Sequence, residues 1–594
     1  VKRYSLLALE GVEKAQELIE VSLGRKAADL AVTHATVLNV YTGEFIHDQT
    51  ILIKGEWIAH VGPQTELSIG PETTVLDASG KFLIPGLIDG HTHLADCLYS
   101  PVEFLSRAMV GGTTTIITET IELFPIRGEE GILDFLEALK DQPIKIFGTV
   151  PPMASTSPLS HGMPRKTLSS LLLRDDVLGL GESYWQAVLQ GPETFLPIFQ
   201  DTLLSGRKVE GHSAGAKGRA LSAYIASGIS SCHEPITAEE ALERLRVGIH
   251  VMVREGSIRA DLGAMASLND TDIDLRRLIL VTDGVRPLDL LEKGYMEYAV
   301  QKAMDVGFDP VKAIQMATLN AAEYFLLDGM VGGIAPGRQA DLLILSDVRT
   351  VKPEVVMSKG KVIARNGKLV TPPRAHAFSR QTMNSVHLPK AMDPTDFAIP
   401  FPGKAGQTLV RVIDQVTELV TREFKASVPV TGGEIRADVD RDLLKVAAIE
   451  RSVSPGKAFV GLIRGFRLGT GAMACSSAWD TADIIVVGAN EADMAEAVNR
   501  IRTLQGGLVL CAGGRVLAEI PLPIFGLMSD MPLPALASRL EEFTKQAKSL
   551  GFPFDDAHRT LVTLTGAAIP FLRISEQGLV DIKTGKAVPL IATE

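Results

Sequence analysis

The chain has 594 residues, 22% of them charged, and a formal net charge of −12 at pH 7. That length exceeds a single compact core, so two or three domains are expected. The acidic balance argues against a nucleic-acid or anionic-membrane binder, because both call for a basic surface.

Residues 1–27, opening "VKRYSLLALEGVEKAQELIE", mix apolar residues with Glu and Lys. They predict an amphipathic helix rather than a signal peptide. No run of about 18 uncharged apolar residues appears along the chain, so no transmembrane helix is predicted. Residues 28–82 carry short β-type runs broken by turns, such as "LAVTHATVLNVYTGE" and "TILIKGEWIAHVG". From 83 to 330 short apolar runs ("TTTIIT", "IKIFGTV", "VLGLGE", "KVEGH", "GIHVMV", "LILVTD") alternate with helical text such as "GILDFLEALKD" and "AEEALERLRVG". That alternation predicts repeated βα units closing into a (β/α)8 TIM-like barrel. β-type text returns over 331–370, which predicts a small β-domain built from 28–82 plus 331–370, on both flanks of the barrel. Residues 371–400 contain Pro and read as a linker. Residues 401–594 hold strands ("AFVGLIRGF", "DIIVVG") and helices ("EADMAEAVNRIRTL", "LPALASRLEEFTKQAKSL"), a C-terminal α/β domain. The four cysteines, Cys97, Cys232, Cys475 and Cys511, are scattered with no CxxC, which predicts free thiols and a cytoplasmic location.

Barrel active sites gather at the C-terminal ends of strands. Within "PGLIDGHTHL", His91 and His93 project to one side of a strand, because the side-chain period is two. Taken alone, the pair reads equally well as one surface and one core histidine. Further strand ends add Glu182, His212, His233 and Asp283. Singly, each has a structural explanation: core histidines, a helix-start carboxylate, an N-cap. As an ordered set they form a metal-ligand series. Nitrogen and carboxylate donors suit Mn, Fe or Zn. Six donors exceed the three of a mononuclear catalytic zinc site and suit two adjacent ions bridged by a carboxylate.

The stretches "PGLIDGHTHL", "GTTTIIT", "EGHSAGAKGRALSAYIASGISSCHEPIT", "VREGS", "GGIAPGRQADLLIL" and "IPLPIFGLMSD" carry a family resemblance. The first is similar to the first-strand motif of the amidohydrolase superfamily. Together, over roughly 28–590, they resemble the adenine deaminases of bacteria. The resemblance implies a metal-dependent hydrolase barrel with two divalent transition-metal ions, Mn or Fe first and Zn as a third option. It places His91, His93, Glu182, His212, His233 and Asp283 as the ligands. The departures cluster elsewhere. Family members usually carry Glu-Ser-Ser where this chain has Ala95, Asp96 and Cys97. An Asp-Pro-His-Glu stretch appears as Glu119, Thr120, Ile121 and Glu122. Gly284 replaces an acid after Asp283, and a His-Asp-Ser-His-Asn segment appears as Trp479 to Asp483. Such a pocket is expected to be roomier and more apolar, with Ile121, Gly284 and Trp185 in place of polar groups.

The expected reaction is hydrolytic deamination at an sp² carbon: adenine to hypoxanthine and ammonia, or an N6-substituted adenine to hypoxanthine and the amine. Asp283 is expected to shuttle the proton, and Glu234 to protonate the ring nitrogen. Glu234 reads equally as a helix-start carboxylate before "PITAEEA". Glu122, Trp185 and Arg254 are expected to contact substrate; a strand-end Arg serves equally as the partner of a structural carboxylate. Hydrolysis of a cyclic amide on the same barrel, and a non-catalytic ligand-binding relative, are the alternative readings. The expected partner is a small purine-type molecule, with no nucleic acid and no membrane, and the expected assembly is a homodimer.

Overall fold

Eight short strands between residues 87 and 281 run parallel. They are β1 (Leu87–Thr92), β2 (Thr113–Thr118), β3 (Lys145–Val150), β4 (Val177–Tyr184), β5 (Lys208–His212), β6 (Ser231–Cys232), β7 (His250–Arg254) and β8 (Leu278–Val281). In the computed structural model all residues are described except 1–3, 64–67, 153–154, 158–161, 404–405, 570 and 593–594. The first three residues of the expected N-terminal helix therefore lie outside the described residues. Strands β1 to β4 and β8 are buried along their whole length, as parallel strands covered on both faces are. This is why β2, β3 and β8 read in sequence as largely apolar or Thr-containing runs rather than as alternating ones.

The expected closed barrel takes a more open form. Parallel ladders join β1 to β5 in one five-stranded sheet and β6 to β8 in a three-stranded sheet. At one seam β6 is only two residues long, and its contact with β5 is reduced to bonds such as Ser230 N to Val209 O at 3.0 Å. At the other seam a side chain replaces the ladder. The buried Asp89 carboxylate on β1 accepts from Thr282 Oγ1 and Tyr295 OH, each at 2.5 Å. Beside it the Asp283 amide donates to His91 O at 3.0 Å. That last bond ties the end of β8 to the end of β1.

A nine-stranded sheet draws on both flanks of these strands. Leu30–Asn39, Glu44–Lys54, Trp57–Pro63, Thr74–Asp77 and Phe82–Pro85 combine with four strands between Leu342 and Leu369. Leu342–Leu345 pairs antiparallel with Phe82–Pro85, which runs straight into β1. Gly86 makes that passage feasible, since a Cβ there would lie 2.2 Å from Thr114 Oγ1. The N-terminal helix is two helices, Leu6–Leu9 and Gly11–Ser22, because Gly11 takes φ +83° and breaks the run.

The stretch expected as a linker is not bare chain. Residues Val386, Leu388, Met392 and Phe397 are buried in the core of the C-terminal region, and Ile399–Pro400 joins its sheet. That region is β-rich, with a ten-stranded sheet, a three-stranded sheet and the long helices Glu491–Leu504 and Leu533–Ser549. Its segment after Ala472–Cys475 reaches over the strand ends, where Ser155 Oγ donates to Asp480 O at 2.6 Å. Among the described residues no helix is long and apolar enough to cross a membrane.

Candidate metal centre and active-site pocket

All six ligand candidates lie at the C-terminal ends of strands, and they converge. His91 lies within β1 and His93 just beyond it; Glu182 is in β4, His212 ends β5, and His233 and Asp283 follow β6 and β8. Asp283 adopts φ +55°, a left-handed conformation that Asp tolerates better than most side chains. This turn aims the carboxylate at the two β1 histidines.

The Nε2 atoms of His91 and His93 each lie 3.4 Å from Glu182 Oε1. They are 3.5 and 3.4 Å, respectively, from Asp283 Oδ1. Donors bound at 2.0–2.1 Å to one tetrahedral ion sit about 3.4 Å apart, so these four are spaced as ligands. Glu182 divides its two oxygens. Oε1 also faces His233 Nε2 at 3.0 Å, while Oε2 faces His212 Nδ1 at 3.4 Å. His212 Nδ1 and His233 Nε2 are 3.1 Å apart. Its two oxygens thus face different histidines, His91, His93 and His233 on one side and His212 on the other.

Two further observations fit cations here. His91 Nε2 is buried and has no hydrogen-bond partner, although it points into the donor cluster. The charge balance is also negative. Burial disfavours an imidazolium at His91, yet Asp283, Glu182 and Glu210 outweigh it and push its pKa well above the ordinary value. His93 behaves likewise beside Glu122, Asp283 and Glu182. A buried site that draws protons onto histidines calls for positive charge, which divalent ions supply when the imidazoles bind as neutral donors.

Behind the donors stands a second row of carboxylates, most of it missed in the sequence. His91 Nδ1 lies 3.3 Å from Glu210 Oε2, and His93 Nδ1 lies 2.5 Å from Glu122 Oε1. Each β1 histidine is thus turned by an acid on its far nitrogen. Glu119 stands 3.8 Å from His91 Nδ1 and accepts from the Glu182 amide at 3.1 Å. Burial pushes Glu119 up to about 8, helped by its neighbour Glu210. A local signal for Glu210 existed: it precedes His212 by two in a strand, so both face inward.

Arg254 is held by three acids. Its Nη1 lies 2.5 Å from Glu234 Oε1 and 3.3 Å from Asp283 Oδ2, and its Nε lies 3.0 Å from Asp261 Oδ2. The expected substrate contact is therefore occupied by carboxylates, although Arg254 also lines the pocket. Glu234 is 3.3 Å from His233 Nε2; burial opposes its charge, but Arg254 and the histidines hold it well below the usual carboxylate range. Glu122 faces the pocket as well as His93.

The pocket over the donors has a volume of about 350 Å³ and a mainly apolar wall. Ile121, Ile236 and Ile258 contribute from the strand ends. Trp185 does not line it: the indole donates to Ala214 O at 2.8 Å and packs against the core outside. Gly284 is likewise not part of the lining; a Cβ there would meet Cys97 Sγ at 3.4 Å. The C-terminal region closes the far side with Leu419, Val420, Trp479, Asp480, Ala568 and Ile569.

A mostly parallel α/β core with histidines and carboxylates gathered at its strand ends is the arrangement of a metal-dependent hydrolase, and residues 82–363 match the amidohydrolase family. Residues 418–586 match the adenine deaminase C-terminal domain. The chain is 37% identical to an adenine deaminase of Moorella thermoacetica over 98% of both chains. It is 35% identical to adenine deaminase 3 of Rhizobium meliloti, over 98% of this chain and 99% of that one. The chain belongs to the adenine deaminase family of the amidohydrolase superfamily. Among solved structures, a β-aspartyl dipeptidase from Fervidobacterium islandicum aligns at 18% identity and a TM-score of 0.45, covering 59% of this chain and 99% of that one.

Proposed function

We propose that this chain deaminates adenine, with water as co-substrate, to hypoxanthine and ammonia. The observation that carries the reading is the convergence of His91, His93, Glu182, His212, His233 and Asp283 at ligand spacing beneath a pocket walled by residues of the 418–586 match. The same reading takes the eight parallel strands as one (β/α)8 barrel, supported by the bond that joins the ends of β8 and β1. It divides the chain into a barrel over 83–330, a composite β-domain over 28–82 plus 331–370, and a C-terminal domain that takes in part of 371–400. The buried free cysteines suit a reducing compartment.

Two divalent ions, Mn or Fe in this reading, would lower the pKa of a water and polarise the C–N bond under attack. The chain supplies the proton handling. Asp283 turns one oxygen to the donor cluster and the other to Arg254, so it takes the proton of the attacking water and returns it to the leaving amine. Glu234 is held ionised by Arg254, so it begins as an acceptor. It takes up the second hydrogen of the water and passes it to the ring nitrogen, so one hydrogen of water ends on the amine and the other on the ring. Arg254, anchored by Asp261, keeps both acids at a fixed separation.

An N6-substituted adenine is the second reading, favoured by the apolar wall of Ile121, Ile236 and Ile258. One buried methyl gains only about 1–3 kcal/mol, or roughly 10–200-fold in kcat/KM. The test is amine and ammonia release by metal-replete protein, with adenine and N6-methyladenine side by side and other aminopurines and pterins as controls. Adenine equal to or ahead of its methylated form removes the second reading. Turnover of neither base removes both.

A further inference from the structure

Trp479 is the tryptophan of the pocket lining, and every polar atom it owns is already engaged. Its amide donates to Val562 O at 3.2 Å, and its carbonyl accepts from Thr565 Oγ1 at 2.7 Å. Its indole Nε1 donates to Asp96 Oδ2 at 2.7 Å. Gly566 lies against the ring, where a Cβ would come within 3.2 Å of Cε3. The side chain is thus fixed in orientation and offers its neighbours an apolar ring.

The fixing points matter. Asp96 follows the donor His93 by three residues. The next residue, Asp480, accepts from Tyr184 OH at 3.0 Å and from the Ala567 amide at 2.8 Å. Tyr184 follows Glu182 by two residues. The Trp479–Asp480 step is therefore pinned to the loop after β1 and to the end of β4, the segments that carry His93 and Glu182. A ring held in register with the donor cluster, in a wall whose other large aromatic ring, Tyr184, is tied through its hydroxyl to Asp480, has the geometry of a platform for a flat molecule. Aromatic side chains stack nucleobases without regard to their hydrogen-bonding edges.

We infer that Trp479 is a substrate-contacting specificity residue, the face on which the planar heterocycle lies, and that Asp96 is the positioning residue that sets its angle. The identity of the heterocycle rests on the proposed deaminase reading; the platform itself does not. The C-terminal region is then a wall of the active site rather than an appendage.

The test uses metal-loaded full-length enzyme. The chain has three tryptophans, so Trp57→Phe with Trp185→Phe leaves Trp479 as sole reporter. Its emission should change saturably on titration with hypoxanthine, and with at least one member of a panel of aminopurines and pterins. Trp479→Ala should weaken hypoxanthine binding and raise KM by about 5- to 150-fold, with metal content intact and kcat changed much less. Trp479→Phe should recover part of the loss. Asp96→Leu should mimic Trp479→Ala, and Asp96→Asn, which still accepts the indole N–H, should rescue it. Silent emission with the whole panel, or unchanged KM in Trp479→Ala, overturns the inference. A Trp479→Ala chain that does not fold leaves the emission titration and Trp479→Phe to decide. If adenine is not turned over while Trp479 emission answers another heterocycle, the deaminase reading falls and the platform stands. If adenine is turned over while Trp479 is silent, the reverse holds.

Discussion

Replacing Asp283 by Asn separates the proton shuttle from the fold. The left-handed φ of +55° suits Asn at least as well as Asp, and the amide bond to His91 O uses only backbone. The perturbation is confined to two oxygens. Oδ2 faces Arg254 Nη1 at 3.3 Å, and Oδ1 faces the His91 and His93 nitrogens at 3.5 and 3.4 Å. Only one can remain an oxygen. If the amide nitrogen turns to Arg254, two donors meet; if it turns inward, a ligand is lost. Either way the variant has no carboxylate to take the proton of water. General acid/base loss typically costs about 10²–10⁴ in rate, which raises the barrier by about 3–5 kcal/mol. The assay is ammonia release at saturating adenine, read beside metal content and thermal unfolding of the same preparation. A variant with full metal, an unchanged Tm and more than about a tenth of the wild-type rate would refute the shuttle, because that leaves under about 1.4 kcal/mol for it to explain.

Three more outcomes are expected. Metal-replete protein should carry about two transition-metal ions per chain, and the double change His91→Ala, His93→Ala should remove at least one; elemental analysis showing one ion or none in fully active enzyme rejects the bridged pair. Glu210→Gln should lower metal affinity by about 10–100-fold in a chelator competition, since the acid that orients His91 is gone; unchanged affinity would make Glu210 merely structural. His558 is buried with Nε2 unpaired, and burial pushes its pKa down to about 4. Between pH 6.5 and 4 the unfolded chain binds a proton there that the folded chain refuses, so stability falls as pH drops through that window. The loss is on the order of 3 kcal/mol. His558→Gln should flatten the Tm-against-pH curve over that range, and parallel curves would sink the assignment.

How much of this was legible in the chain depends on how local each feature is. The convergence of the six ligand candidates was readable because each lies at or just past the C-terminal end of a short strand: "LIDGHTH", "VLGLGE", "KVEGH" and "LILVTD" all show the residue beside the run that positions it. The composite β-sheet was readable because its strand text recurs on both flanks. Register and seams were not. Nothing in "GISSCHE" announces that β6 shrinks to Ser231–Cys232, or that Asp89 stands in for a ladder at the other edge. The C-terminal packing of Val386, Leu388 and Met392 was hidden in Pro-containing text because a buried irregular segment has no period to detect.

The pocket wall was the least legible part, and the reason is distance along the chain. Asp96 and Trp479 are separated by 383 positions, and Tyr184 and Asp480 by 296. No periodicity links them. Trp185 stands near Glu182 in sequence, but nearness in sequence is a poor guide once a strand has ended. Three residues after Glu182 the chain has turned into the helix Trp185–Gln190, and its indole is spent on Ala214 O. The ring that reaches the pocket comes from the far domain and is held there by an acid that the sequence marked only as a departure. Ligand chemistry is written by short motifs on single strands, whereas substrate choice is written by pairs that only the fold brings together. On the proposed platform, a change at Trp479 or Asp96 would alter substrate choice in this chain while leaving His91, His93 and Glu182 in place.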